Sequence, residues 1–254
     1  MNIPNKIFIV PYRDRIEHKL HFEIYMKYIL EDISKDSYEI YFSHQMNQLP
    51  FNRGAVKNIG FIAMRDKYPD NYKDITFIFN DIDCCPYKKN LLNYDTTHGT
   101  VKHFFGYTFA LGGIFSITGA DFEKTGGFPS FWGWGFEDNA MYDRVKKNNL
   151  FIDRDTFFDA NTSKIINIYH GDKRILAKEE QWNYKLEYYD SLNDIKNLNY
   201  RIKNEFIEIL DFKTKHSPNI ITYYSAANLQ KVSLDKRFMP KDSKLYNLQK
   251  MKFR

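Results

Sequence analysis

The sequence predicts an α/β fold, a central and mostly parallel sheet flanked by helices, and three observations predict it. Apolar runs alternate with helical patterns as strand, helix, strand, helix, strand over roughly the first third of the chain, which is how a sheet covered on both faces is written. At 254 residues, 43% hydrophobic and 17% aromatic, the chain can bury a substantial core and is not a disordered one. No apolar run approaches the ~18 residues that a membrane span needs.

Taken in order, KIFIVPY (6–12) is a short apolar run ending at a proline and reads as a buried strand. Residues 14–32 place Ile16, Leu20, Ile24 and Tyr28 at helical spacing, the expected apolar face of a first helix. SYEIYFSHQ (37–45) is strand-like, NRGAVKNIGFIAMRDKY (52–68) is helical, and DITFIFNDID (74–83) is a third, more apolar strand. The middle changes character. GTVKHFFGYTF and LGGIFSITG predict strands joined by glycine-rich turns, ADFEKTGG a short helix, and EDNAMYDRVKKNN a longer amphipathic one. LFIDRD and KIINIYHGD follow as strands, then polar helical sequence beyond Lys178, a hairpin around YRIKNEFIEILDF and a last strand at NIITYY. There is no repeat and no linker, so one domain over residues 1–227, with a nucleotide-binding first half, is the simplest account.

The formal net charge of +5 is unevenly spread. Residues 228–254 hold eight Lys/Arg against two Asp, +6, which leaves the preceding body near −1. The basicity belongs to a C-terminal tail, a solvated extension before it is a membrane or nucleic-acid contact, and no nucleic-acid partner is expected. Cys84 and Cys85 are adjacent and poorly placed to bridge each other, so neither a disulfide framework nor a Cys/His zinc pattern is present.

Ligands bind α/β sheets beyond the carboxyl ends of parallel strands, where NDIDCCP falls. Asp81 and Asp83 are two residues apart, so that one can turn toward a hard divalent cation that also carries substrate phosphates. A solvated loop is the alternative for so short a motif. IYHGD puts His170 at another strand end. An isolated histidine is usually a hydrogen-bonded structural residue, yet imidazole beside a carboxylate suits Mn²⁺. VPYRDR and FNRG place Arg13, Arg15 and Arg53 near element ends, as surface charge or as phosphate donors, with Phe51 as a stacking surface. In FWGWGFEDNAMYDR (131–144), glycines 133 and 135 give a mobile backbone and the tryptophans flat apolar faces. Glu137 and Asp138 sit where a helix begins, and either cap that helix or do acid–base chemistry.

WGWGFED, together with VPYRDR, FNRG, NDID, the Gly112–Phe115 element, TGGFP and IYHGD in the same order, resembles the β1,4-galactosyltransferase family of inverting glycosyltransferases. The resemblance runs from about Lys6 to Asp172 and more loosely to Tyr224. It implies the GT-A, nucleotide-diphospho-sugar transferase fold. It implies that Asp83 and His170 hold Mn²⁺, that Arg13, Arg15, Phe51, Arg53 and Asp81 meet UDP, and that Asp138 is the catalytic base with Glu137 on donor or acceptor hydroxyls. Trp134 would close over the donor sugar, Tyr107, Ala110 and Gly113 would border it, and Trp182, with Tyr184 near it, would lie toward a glycan or glycoconjugate acceptor.

Three departures from the family bear on specificity. Asn167 stands where a methionine ligand is usual, and an amide oxygen is harder than a thioether, so Mg²⁺ is expected to substitute more readily. Ala110 stands where galactosyl members carry tyrosine, which leaves room for a 2-acetamido group and makes UDP-N-acetylgalactosamine as well as UDP-galactose an expected donor. The N-terminal membrane helix and disulfides of eukaryotic members have no counterpart, which implies a soluble, cytoplasmic member of bacterial or viral type. Chondroitin- or polypeptide-type N-acetylgalactosaminyltransferases share parts of the pattern, and a non-catalytic sugar- or nucleotide-binding module is the alternative of a different class.

Overall fold

The computed structural model describes residues 2–168, 176–177, 183–187, 189–216, 218 and 223–224. The basic tail at 228–254, His170, Trp182 and most of the polar helical stretch expected after Lys178 lie outside the described residues.

The first three strands are β1 (Lys6–Tyr12), β2 (Tyr38–Gln45) and β3 (Thr76–Asn80), joined through α1 (Ile16–Ile29) and α2 (Arg53–Lys67). All pairing among them is parallel, with Phe8 opposite Ile40 on one side and Ile78 on the other. β3 stops at Asn80, so Asp81 and Asp83 fall past its carboxyl end. Pro11, which has no N–H to give a ladder, lies beyond the last β1–β3 pair, Ile9 with Phe79.

The sheet then turns mixed. β5 (Thr100–Gly106) and β6 (Ile114–Thr118) form an antiparallel pair, and β6 runs antiparallel to β3. β7 (Phe151–Asp153) and β8 (Phe158–Asp159) pair parallel with β5. At the other edge, the expected hairpin is β11 (Lys196–Lys203) with β12 (Phe206–Lys213), turning at Asn204 in the left-handed region, and β12 joins β2 in parallel. The order of the main sheet is β11-β12-β2-β1-β3-β6-β5-β7, with β8 beside β5. The run β12-β2-β1-β3 is the expected parallel sheet, while β6 lies antiparallel to both of its neighbours and β11 antiparallel to β12.

Strand alternation sorts the core into two layers. Ile7 and Ile9 of β1 and Phe77 and Phe79 of β3 pack against Ala55, Ile59 and Ala63 of α2, Phe122 of α3 (Gly119–Thr125) and Met141 and Val145 of α4 (Glu137–Lys147). Phe8, Val10, Phe42 and Ile78 point the other way, onto Phe22, Met26 and Ile29 of α1 and onto Cys84 and Cys85. Those cysteines form β4 (Cys84–Pro86), a strand the sequence reading did not anticipate, paired antiparallel with β9 (Ile165–Asn167). Both thiols are buried and free, and burial raises the ionisation of each, Cys85 to about 12, so they pack as apolar groups. A last short ribbon joins β10 (Leu176–Ala177) to β13 (Tyr223–Tyr224).

The structure corrects the expected face of α1. Ile16, Leu20, Ile24 and Tyr28 are exposed, and the helix buries Lys19, Phe22, Met26 and Ile29. Both sets repeat at helical spacing. The buried one wins because aromatic partners wait for it: Phe22 meets Phe42 edge-on at 5.9 Å, and the Lys19 ammonium lies 4.7 Å from the centres of both the Phe42 and Phe206 rings. Two substitutions two residues apart separate the faces. Leu20→Ser, at a side chain 57% exposed, is expected to change stability by no more than about 0.5 kcal/mol, whereas Phe22→Ala is expected to cost about 3–5 kcal/mol in a denaturant titration.

Candidate active site

Helix α2 enters the site under tight constraint. Asn52 caps it, accepting from Ala55 N at 2.9 Å, while its own amide donates to Ser130 O at 2.9 Å. Six residues later Asn58 closes a two-way pair with Phe128, donating to its carbonyl at 2.7 Å and accepting from its N–H at 2.9 Å. Between them Gly54 lets the helix approach so closely that a Cβ there would sit 2.0 Å from Pro129 O. These contacts weld α2 to the 128–133 segment and fix where Arg53 and Lys57, one turn apart on its inner face, can point.

The 131–136 stretch is anchored by its rings. Trp132 is buried, donates from Nε1 to Thr214 Oγ1 and the His216 carbonyl, and stacks flat on Phe212 at 5.5 Å, so it is a core residue. Trp134 is half-buried between Gly133 and Gly135, whose φ values of 99° and 115° call for glycine. Phe136 adopts a left-handed φ of 71°, rare for an aromatic residue. It is held there by burial and by stacking on Tyr184 at 5.0 Å. Tyr184, whose OH donates to Asp143 at 2.9 Å, is thus a support for this loop. The kinked backbone delivers Glu137 and Asp138 into the first turn of α4, and Gly135 N donates to Glu137 Oε2 at 3.0 Å.

Arg53 is where the pieces meet. One terminal nitrogen grips both Asp81 oxygens at 2.5 and 2.6 Å, and the other reaches Glu137 Oε1 at 2.6 Å and Asp138 Oδ2 at 2.7 Å. Lys57 Nζ donates to Asp138 Oδ1 at 3.0 Å and lies 3.9 Å from Asp81 Oδ1. Burial pushes the Asp138 carboxyl up, but Arg53 and Lys57 outweigh it and hold the group below the usual aspartate range. Glu137 goes the other way, raised by burial and by the neighbouring Asp138 charge against the pull of Arg53. Two adjacent carboxylates are thereby pushed apart, the pattern expected where acid–base roles are divided.

A glycine-rich loop closes the far side. Leu111 N donates to the Asp138 carbonyl at 2.9 Å, and a Cβ on Gly112 would fall 2.4 Å from Asp138 Oδ2. The carbonyl of Gly113, itself at a φ of 68°, accepts from Asp81 N at 2.9 Å. Ala110 is buried beside this loop, and Tyr107 is exposed and stacks on Phe109 at 5.4 Å. Beneath, buried His103 donates from Nε2 to the carbonyls of Phe105 and Gly112 at 3.1 and 3.3 Å, while its Nδ1 accepts from Arg154 Nε at 3.2 Å. This pattern assigns the neutral Nε2–H tautomer.

The remaining sequence candidates divide into two groups. Asp83 lies at the β4–β9 ribbon, where its carbonyl accepts from Ile168 N at 2.8 Å, and Asn167 sits opposite Cys84. The Cys84 sulfur lies 3.3 Å from Asp83 Oδ1 and 3.9 Å from Asn167 Oδ1, so both hard oxygen donors border the same thiol. Among the described residues no group of three or more His, Cys, Asp and Glu forms a metal cluster. Arg13 follows β1, bonding the Leu49 carbonyl and lying 3.5 Å from Asp14, and Arg15 begins α1. Phe51 is half-buried, and its carbonyl accepts from Gly133 N at 3.2 Å. The sequence reading missed Lys57, His103 and the close approach at Gly112. Only Lys57 had a readable signal, its spacing of four from Arg53 on one helix.

Comparison with known proteins places these features in a family. Residues 4–95 match the N-terminal region of glycosyl transferase group 7, and residues 97–171 match a domain described as the N-terminal domain of galactosyltransferase. A xylosylprotein 4-β-galactosyltransferase of Caenorhabditis elegans is 27% identical over 219 residues, 80% of this chain and 73% of the relative. The mouse β-1,4-galactosyltransferase 6 is 31% identical over 206 residues, 74% of this chain and 50% of the relative, so the chain spans about half the length of that protein. A Drosophila β1,4-galactosyltransferase 7 mutant, solved with manganese, UDP-Gal and xylobiose, superposes with a TM-score of 0.65 at 20% identity, covering 82% of this chain and 94% of that one. The fold is therefore GT-A. Among the described residues no helix is long and apolar enough to cross a membrane.

His103 generates a pH prediction. Burial first, then the Arg154 charge, lower its ionisation from the ordinary 6.5 to about 4. Between those values the unfolded chain binds the extra proton and the folded one does not, so this contribution is complete above about pH 6.5 and is lost as the pH falls toward 4. Denaturant titrations at pH 7 and 4.5 are expected to show an acid loss smaller in His103→Gln than in the parent, by on the order of 2 kcal/mol.

Proposed function

This chain belongs to the β1,4-galactosyltransferase family, glycosyl transferase group 7, and on that premise we propose that it is a metal-dependent inverting transferase. It would move galactose or N-acetylgalactosamine from a UDP-sugar to a hydroxyl of a glycan or glycoconjugate. The observation that carries this reading is the convergence of Asp81, Glu137 and Asp138 on Arg53 at the carboxyl edge of the parallel strands, where α/β folds bind nucleotides.

In the proposed reaction the acceptor hydroxyl attacks the anomeric carbon from the face opposite the diphosphate. Asp138, kept ionised by two cations and packed against Gly112, takes the hydroxyl proton as the new bond forms. Glu137 lies deeper and more buried, and its role is to accept hydrogen bonds from sugar hydroxyls and fix the ring. Arg53 presents its guanidinium to the donor side, with Arg13 and Arg15 approaching from the end of β1 and Phe51 bordering the base. Trp134, carried between two glycines, shields the sugar from water.

The donor set fits an oxygen-preferring divalent ion. The Asp83 carboxylate and the Asn167 amide each lie beside the Cys84 sulfur at the β4–β9 ribbon, and His170, three residues after Asn167, would complete the protein's share. When bound, such an ion neutralises charge on the leaving diphosphate. With an amide in place of a softer ligand, Mg²⁺ is expected to support activity alongside Mn²⁺. Donor choice follows from Ala110, whose methyl group leaves space beside a loop tied to Asp138 through Leu111 N.

Calorimetric titration of UDP tests the site itself. Binding is expected with Mn²⁺, weakly or not at all without it, and at least tenfold weaker in Asp83→Ala. UDP binding that ignores both metal and mutation would remove the metal assignment, and no binding under any condition would remove the nucleotide site. Turnover of UDP-N-acetylgalactosamine at a rate equal to or above that of UDP-galactose is expected, and a strong galactose preference would overturn the reading of Ala110.

A further inference from the structure

Among the described residues of the site, Lys57 is the cation that faces no solvent. Its side chain is 1% exposed, and its ammonium lies 4.4 Å from the centre of the Phe128 ring. Three groups take up its charge: the ring face, Asp138 Oδ1 at 3.0 Å and Asp81 Oδ1 at 3.9 Å. An ammonium so buried is costly, and a chain needing only to fill this space on α2 would place an aliphatic residue there. The neighbouring positions on the helix, Ala55, Val56 and Ile59, are apolar. The lysine instead aims at one oxygen of a carboxylate whose other oxygen is held by Arg53.

Arg53 is shared among three carboxylates on the donor side of the site, and an incoming diphosphate competes for it. Lys57 lies beneath, closed in by Phe128, and its bond to Oδ1 can persist while Arg53 is recruited elsewhere. Resting on the glycosyl-transfer reading above, we propose that Lys57 is a positioning residue. It fixes the rotamer of Asp138 from the buried side, so that Oδ2 keeps its place beside Gly112 throughout the reaction. The charged and titratable groups facing Asp138 are Arg53 and Lys57 from α2, Asp81 beyond β3, Glu137 of its own helix and, from β5, His103. Lys57 and Arg53 together also keep Asp138 ionised at low pH.

The experiment compares the parent with Lys57→Met, which keeps the length and loses the charge, and with Lys57→Arg, which keeps the charge. In Lys57→Met, kcat is expected to fall roughly 10- to 100-fold with the donor KM within about twofold, because orientation is lost and donor binding is not. The acid limb of the kcat profile is expected to move to higher pH. Lys57→Arg is expected to recover most of kcat and to return the limb. In parallel, the Asp138 carboxyl is followed by ¹³C NMR without substrate, its resonance assigned by its absence in Asp138→Asn, and its titration is expected to move upward in Lys57→Met. Should Lys57→Met not fold, Lys57→Gln, neutral but still a donor, is expected to give the same upward movement.

An unmoved Asp138 titration and acid limb, or a loss of kcat that Lys57→Arg does not recover, overturns the proposal. If the parent transfers no sugar to any acceptor, the glycosyl-transfer reading fails on that result. The NMR titration then decides the hold of Lys57 on Asp138 by itself, movement supporting it and constancy overturning it.

Discussion

The guanidinium of Arg53 joins three segments far apart in sequence: the amino end of α2, the loop leaving β3, and the first turn of α4. Each ion pair is largely but not wholly removed from water, so none is a simple gain. Desolvating several charges costs much of what their attraction returns, and removing one partner strands the rest at a cost on the order of 3–5 kcal/mol. Such a cluster is poor as a stabilising device and good as a locator, because its planar donors accept carboxylates only in a narrow geometry. The remainder of the site follows from keeping Arg53 still. Asn52, Asn58 and the missing side chain at Gly54 do this by bonding α2 rigidly to the 128–133 segment.

Around that hub the backbone is drawn in until little room is left. Gly112 packs against the Asp138 carboxylate, the Gly113 carbonyl holds Asp81 N, and His103 bonds the loop from below. Phe136 takes a strained left-handed conformation to turn the chain into α4, held there by stacking on Tyr184. Strain of this kind costs of order 1–3 kcal/mol and persists where surrounding packing over-determines it. The two apolar layers supply that packing, and the β4–β9 ribbon on the opposite layer from α2 brings Asp83 and Asn167 to the same edge of the sheet.

Much of this was legible in the sequence, for reasons that differ by residue. The parallel half of the sheet was readable because its strands are continuous apolar runs separated by helical periods. Asp81, Asp83, Glu137, Asp138 and Arg53 were readable because their types and order resemble one family. What sequence did not give was face and depth. Helix α1 carries two apolar sets with the same period, and only the rings of Phe42 and Phe206 decide which is buried. Trp132 and Trp134 look equivalent as neighbours between glycines, yet one stacks on Phe212 in the core and the other is only half-buried. Lys57 is one lysine among apolar residues of α2, and only the burial of that helix from Gly54 to Met64 shows how deep it lies.

On the proposed reading these carboxylates perform an inverting transfer from a sugar nucleotide. Its most direct test is to follow the anomeric proton by NMR while UDP-hexose and a panel of short glycans, xylobiose among them, are incubated with the protein and Mn²⁺. An acceptor-dependent product of opposite anomeric configuration to the donor is expected, absent in Asp138→Asn although UDP still binds. A product of retained configuration, or donor consumption undiminished in Asp138→Asn, would contradict it.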